Sequence, residues 1–214
     1  MPSTVEPPGR RVVPLVPRDV DTSDDVLRVG RPFPAGELRA MVLDGLLVHL
    51  FGSTYLRAGA RPGPDVRAQA LANELPAALR GRAIIGRQSA AWIYVGGPAP
   101  AKINLLIDHR RRTAALRPFS GCQLHEVHLA GDEMTSVGAV AVTTRLRTAI
   151  DMALYAPNAE AAAALRLLTS HPSVDCTLES VKAKLESLVR VPRKRNALEL
   201  VASLADERDR GGRS

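Results

Sequence analysis

Few residues here have the type and spacing to do chemistry, and for most of them the setting denies it. His125-Glu126-Val127-His128 suggests a metal pair. However, residues 122–129 read as a strand, where positions i and i+3 face opposite sides. A helical His-Glu-x-x-His zinc site also needs one more residue between its histidines. Asp108-His109-Arg110 puts Arg111 where a kinase catalytic loop needs its aspartate. Gly96-Gly97 is not followed by Gly-Lys-Ser/Thr, so it reads as a turn ending a helix and not as a phosphate loop. Gly52-Ser53 has the dipeptide that opens a nucleotidyltransferase site, but Arg57 and Ala58 stand where the paired magnesium carboxylates would follow. No G-x-S-x-G elbow occurs and neither cysteine lies beside a histidine. The expectation is a protein without catalysis, cofactor or metal, which works through its surfaces.

Groups suited to binding are more plentiful. Residues 34–57 carry Arg39, His49, Ser53, Thr54 and Arg57 on what reads as a helix followed at once by a β-hairpin, the second half of a winged helix. In that fold a recognition helix enters the major groove and the wing lies along the phosphates. Arg39 would then reach a base edge or a phosphate, while Ser53, Thr54 and Arg57 would suit phosphates. The alternative is a helix and hairpin that pack on the main domain, with those side chains solvated. Arg110, Arg111, Arg112 and Arg117 make a dense basic loop, able to hold phosphate, an RNA backbone or a partner's carboxylates, or simply to be a solvated hairpin tip. Arg193, Lys194 and Arg195 form a second basic cluster at the start of a helix. Cations there oppose the helix dipole, a conflict that points to a use outside folding.

The elements that must position these groups follow from periodicity and punctuation. Leu38, Met41, Val42 and Leu46 mark one face of a short helix stopped by Gly45. Strand, tight turn and strand follow over 47–51, Gly52-Ser53 and 54–57. Arg61-Pro62-Gly63-Pro64 is a linker. Beyond it the pattern predicts a helix over 65–75, a short buried strand at 83–85, a helix over 88–94, and strands over 102–107, 122–129 and 137–143. Leu146, Ala149, Ile150, Ala153 and Leu154 have the i, i+3, i+4 spacing of an amphipathic helix, capped by Thr144. Helices over 158–168, 177–189 and 195–205 come next, with Asn158 and Thr177 as N-caps and a charged, frayed tail from Asp206. Arg147 and Asp151 read as an i, i+4 structural ion pair worth a few tenths of a kcal/mol. Trp92 and Tyr94 read as core.

The chain of 214 residues is long enough for one medium domain with an appendage. The expected class is α+β: a flexible proline-rich segment over 1–30, an abbreviated winged-helix-like part over 31–62, and a mixed α/β domain with a helical C-terminal half over 63–214. Its formal charge of +7 favours polyanions or an acidic protein as partner. Only Lys102, Lys182, Lys184 and Lys194 are lysines, so the arginine excess is also what a GC-rich genome would produce. No apolar run approaches a membrane span, the start of the chain has no signal-peptide core, and two cysteines suit a reducing compartment. A cytoplasmic protein without a membrane partner is expected.

Taken in order, Arg31-Pro32-Phe33, Glu37-Leu38-Arg39 to Gly45, Gly52-Ser53-Thr54-Tyr55-Leu56, Gln88-Ser89-Ala90-Ala91-Trp92 and the segment Val142-Thr143-Thr144-Arg145-Leu146-Arg147-Thr148-Ala149-Ile150-Asp151 resemble the AbiEi family of antitoxins, in its actinobacterial form. The resemblance runs from residue 31 to about residue 205. It implies a winged-helix part joined to an α/β antitoxin domain, encoded beside a nucleotidyltransferase toxin that the protein neutralises. It also implies repression of the operon's own promoter DNA. The sequence departs from the family in its abbreviated winged helix and in ending after the helical region, without a nuclease-like extension. A stand-alone winged-helix transcriptional regulator is the alternative reading. An enzyme modifying the toxin is a third, which no motif supports.

Overall fold

In the computed structural model, which describes residues 25–108, 120–170 and 176–211, the first unit is shaped by two glycines. Helix α1 (Ala35–Leu43) ends at Gly45, whose φ is 72°. Gly45 N–H donates to Val42 O at 3.1 Å and Leu46 N–H to Met41 O at 2.9 Å, the paired bonds of a Schellman stop. The chain turns straight into β2 (Leu47–Phe51) and β3 (Thr54–Arg57), joined by Gly52-Ser53, with Gly52 at a φ of 52°. A third strand, β1 (Val26–Arg28), pairs with β3, giving an antiparallel sheet in the order β1-β3-β2. Leu38, Leu47 and Tyr55 are its buried core, with Leu27 and Phe33 packed against them. Residues 26–28 therefore correct the expectation that everything up to 30 is a flexible tail. Three residues beside an acidic cluster give no period to read, and the strand exists because β3 offers it an edge.

The second unit is a mixed sheet covered by helices. Its strands are β4 (Ile84–Ile85), β5 (Ile103–Asp108), β6 (Cys122–Val127), β7 (Met134–Val137) and β8 (Val140–Thr143), ordered β6-β5-β4-β8-β7. The β5–β6 and β4–β8 pairs are parallel, and the β4–β5 and β7–β8 pairs are antiparallel. The single strand expected over 137–143 is in fact the turn and second arm of a hairpin, because Gly138 turns at a φ of 56°. Helices α2 (Pro64–Asn73) and α3 (Arg87–Val95) lie on the sheet. Outside α3 pack α4 (Arg145–Tyr155), α5 (Asn158–Ser170), α6 (Leu178–Ser187) and α7 (Lys194–Gly211).

Helix α3 is the shared wall of two cores. Ala90, Trp92 and Ile93 belong to the sheet-side core, and Ala91 belongs to the helical one. The small side chains of Ser89-Ala90-Ala91 let both layers approach its backbone. Thr144 caps α4, accepting from Arg147 N at 3.3 Å, and Thr177 caps α6, accepting from Ser180 N at 3.1 Å. Asn158 does not cap α5: it lies inside the first turn, and Ala161 N–H donates to Pro157 O at 2.9 Å. Helix α7 continues to Gly211 instead of fraying at Asp206, and an Arg166–Glu207 ion pair of 2.7 Å ties that extension to α5. Both cysteines are unpaired thiols. No helix among the described residues is long and apolar enough to cross a membrane.

Candidate functional site

The hairpin that would serve as a wing is fastened to the main domain. Ser53 donates twice to one carboxylate oxygen, Glu74 Oε1, from its backbone N–H at 2.8 Å and from Oγ at 2.7 Å. Glu74 stands at the end of α2, so the tip is tied to the second unit. The Phe51 ring lies 5.8 Å from that of Trp92, and Leu50 and Phe51 both pack on the sheet-side core. A side chain at Gly52 would place its Cβ 2.3 Å from Glu74 Cδ, so the absence of one is what lets the carboxylate sit over the turn. Thr54 is buried, at 2% exposed. Neither Ser53 nor Thr54 is presented to a phosphate. The expected wing contacts are corrected on that ground: one side chain is spent on Glu74 and the other faces inward.

The remaining candidates stay on the surface. Arg39 is exposed on α1. The exposed His49 places Nε2 2.8 Å from Gly52 O, and its ring centroid lies 5.0 Å from that of Tyr55. Arg57 lies 3.6 Å from Asp25. Apolar side chains stand beside them: Leu43 is 88% exposed, Leu46 57% and Val48 45%. Leu46 and Val48 share one side of the chain by the period of two. Leu43 is the last residue of α1, just before the turn that leads to them.

Of the two basic clusters, Arg110, Arg111, Arg112 and Arg117 lie outside the described residues. The other is largely absorbed by the fold. Lys194 Nζ donates to Glu186 O at 2.7 Å and to Leu188 O at 2.6 Å, so its ammonium satisfies carbonyls at the end of α6, where a cation is favoured. Arg193 donates to Ala156 O at 3.5 Å, and Arg195 pairs with Glu199 at 3.0 Å. The electrostatic conflict read at the start of α7 is thus settled by the preceding helix.

A site with no sequence signature lies in the second unit. A cleft of about 440 Å³ opens between the start of α3, the first halves of β5 and β6, and the α4–α5 junction. Arg87, the first residue of α3, has a φ of 53° and lays its guanidinium 4.2 Å from the Tyr155 ring centroid. Its Nη1 is 3.3 Å from His125 Nε2, which is itself 2.9 Å from Asn104 Oδ1. One ring nitrogen cannot both donate and accept in its plane. His125 Nε2 therefore serves either Asn104 Oδ1, as a donor, or the Arg87 guanidinium, as an acceptor, and not both. Burial, then the charge of Arg87, pushes the His125 pKa down to about 4. The imidazole is neutral at pH 7.

Beneath the cleft, Arg147 bonds Asp151 Oδ1 at 3.0 Å and Glu133 Oε2 at 2.6 Å. The three side chains are only 14%, 2% and 17% exposed. Burial works against the Arg147 charge, but Asp151 and Glu133 outweigh it and raise its pKa. Burial raises that of Asp151, and Arg147 offsets this only in part. Read from spacing as a simple i, i+4 structural pair, Arg147–Asp151 belongs to a buried triad with Arg147 in the middle. Asp151 Oδ2 and Arg87 Nε are both buried without a hydrogen-bond partner.

No family model and no curated protein matches this chain. Among solved structures it is similar to the RV2827C protein from Mycobacterium tuberculosis, with a TM-score of 0.40 and 15% sequence identity. That similarity covers 81% of this chain and 64% of the other.

Proposed function

We propose that this protein is the cytoplasmic antitoxin of a toxin–antitoxin pair and that it neutralises a nucleotidyltransferase toxin by direct contact. The observation that carries this reading is the apolar edge of the first unit, where Leu43, Leu46 and Val48 are held in solvent on a platform that Glu74 fixes to the rest of the molecule. Exposed apolar side chains gathered on a rigid support are what a protein partner buries. The ordered AbiEi-like segments support the identity of that partner. Two of those segments supply α3, the wall between the two cores, and the Arg147–Asp151 pair.

Repression of the operon is the second reading. The observation that favours it is the solvent-exposed Arg39 on α1 beside a completed three-stranded sheet. With Ser53 and Thr54 withdrawn, DNA contact rests on α1 and Arg57, and a mobility shift on the protein's own promoter decides it.

Co-expression tests the first reading. The wild-type chain restores growth to cells expressing the nucleotidyltransferase encoded beside it, and the two proteins co-purify. Leu43→Asp combined with Leu46→Asp leaves the fold intact, because both side chains are already exposed, and weakens the complex by at least tenfold. That loss is about what burying one leucine contributes, roughly 1.5–3 kcal/mol. Failure of the wild-type chain to rescue growth or to bind the toxin overturns the proposal.

A further inference from the structure

The cleft holds chemistry that the antitoxin reading does not use. We infer that it binds a free amino acid, with the carboxylate taken by Arg87 and the ammonium by Asp151.

Two residues of the lining each hold a buried polar atom without a partner: Arg87 with Nε, a donor, and Asp151 with Oδ2, an acceptor. The Asp151 side chain is 2% exposed, and it already spends Oδ1 on Arg147. The guanidinium is poorly used as well, since the single histidine nitrogen it approaches is also claimed by Asn104. Buried groups of this kind are normally satisfied, and charged ones bind best to a partner of opposite charge. A guanidinium N–H calls for an anionic acceptor and a carboxylate oxygen for a cationic donor. One small molecule that carries both is an α-amino acid.

The rest of the lining agrees. Arg87 and Lys102 line the cleft together with Asp151 and Glu160, so the lining carries both signs of charge and suits a ligand that carries both as well. Helix α3 begins at Gly86 with no side-chain cap, leaving its first N–H groups and the positive end of its dipole for the carboxylate. The cleft, at about 440 Å³, has room for any of the standard side chains beside Asn104 and Gln123. As the side chains stand, the two orphan atoms are closed to solvent, so the ligand enters as Arg87 swings off the half-exposed Tyr155 ring. The ring contact, the approach to His125 and the attraction of the nearby Asp151 carboxylate restrain it, and the ligand's carboxylate competes with them.

Titrating the full chain with each of the twenty amino acids, by saturation-transfer NMR and calorimetry, tests this. At least one binds saturably and one-to-one with a dissociation constant below about 1 mM. Its N-acetyl derivative, which lacks the ammonium, and its methyl ester, which lacks the carboxylate, each bind at least tenfold more weakly. Arg87→Gln, checked for folding by circular dichroism, loses affinity for the amino acid to the same degree as esterification does. If that variant does not fold, the two derivatives decide the matter on the wild-type chain. Three results overturn the inference: no saturable binding by any of the twenty, affinity unchanged by N-acetylation, or inorganic phosphate bound as tightly at the same place.

Discussion

Replacing Glu74 with alanine isolates the tie between the two units. The substitution removes a carboxylate oxygen that accepts two hydrogen bonds from Ser53, at 2.8 and 2.7 Å. A hydrogen bond to a charged group contributes about 1.5–3 kcal/mol net. Here one oxygen serves both donors in a half-buried setting, so the pair together stabilises by about 2–3 kcal/mol and not by twice the single value. At roughly 2–4 °C per kcal/mol for a chain of this size, Glu74→Ala lowers Tm by about 5–10 °C. In urea the midpoint falls with the slope unchanged. Ser53→Ala removes only the Oγ bond and leaves the backbone donor in place, so it costs about 1 kcal/mol. Because the Oγ bond is absent from both single variants, the double variant is less destabilised than the two single losses added, by about 1 kcal/mol. A Glu74→Ala protein within about 0.5 kcal/mol of wild type, or strict additivity with Ser53→Ala, would refute the tie. The pinned wing would go with it.

Arg147→Met removes the cation from between two carboxylates that are 2% and 17% exposed. The loss expected in urea denaturation is about 3–5 kcal/mol, and one within a few tenths of wild type would restore the reading of a simple i, i+4 pair. His125 in the folded protein titrates near pH 4, against about 6.5 when unfolded. Between those values the unfolded chain binds a proton that the folded one refuses, so this group's contribution is complete above pH 6.5 and is lost as pH falls through the window. An NMR titration of the His125 ring giving 6.5 or higher would contradict the neutral, buried imidazole.

What the sequence makes legible is what is local. The β2–β3 hairpin is written in two short runs rich in apolar residues on either side of Gly52-Ser53, and α4 in the spacing of Leu146, Ala149, Ile150, Ala153 and Leu154. Thr144 and Thr177 announce their caps because a hydroxyl three residues before a backbone N–H needs no tertiary help. Two failures are local, the turn at Gly138 and the cap assigned to Asn158, and the others are long-range. β1 is too short to show a period and is held by β3. The last turns of α7 are held by Arg166 on α5, 41 residues before its partner Glu207. The hairpin tip reads as a free wing because the carboxylate that holds it lies 21 residues beyond Ser53. The cleft is harder still. Arg87, Asn104, His125 and Asp151 come from α3, β5, β6 and α4, and each alone reads as ordinary: a helix start, two strand residues and an i, i+4 partner. Nothing in one sequence says that a parallel β5–β6 pair will bring Asn104 beside His125.

The geometry of α1 also constrains how neutralisation and repression could coexist. Arg39 and Leu43 are i and i+4 on one short helix, so their side chains are neighbours, about 5–6 Å apart at Cβ. A toxin that buries Leu43 must cover or crowd Arg39, and DNA that takes Arg39 into a groove must lie against Leu43. The pinned hairpin removes the usual escape, in which a wing swings aside to make room, since Ser53 cannot leave Glu74 without losing both of its bonds. Two ligands that need the same rigid face exclude one another, and by linkage each weakens the other's binding to the same degree. A toxin-bound chain would therefore release its promoter. For toxin to tighten promoter binding instead, the toxin would have to sit on a surface away from α1.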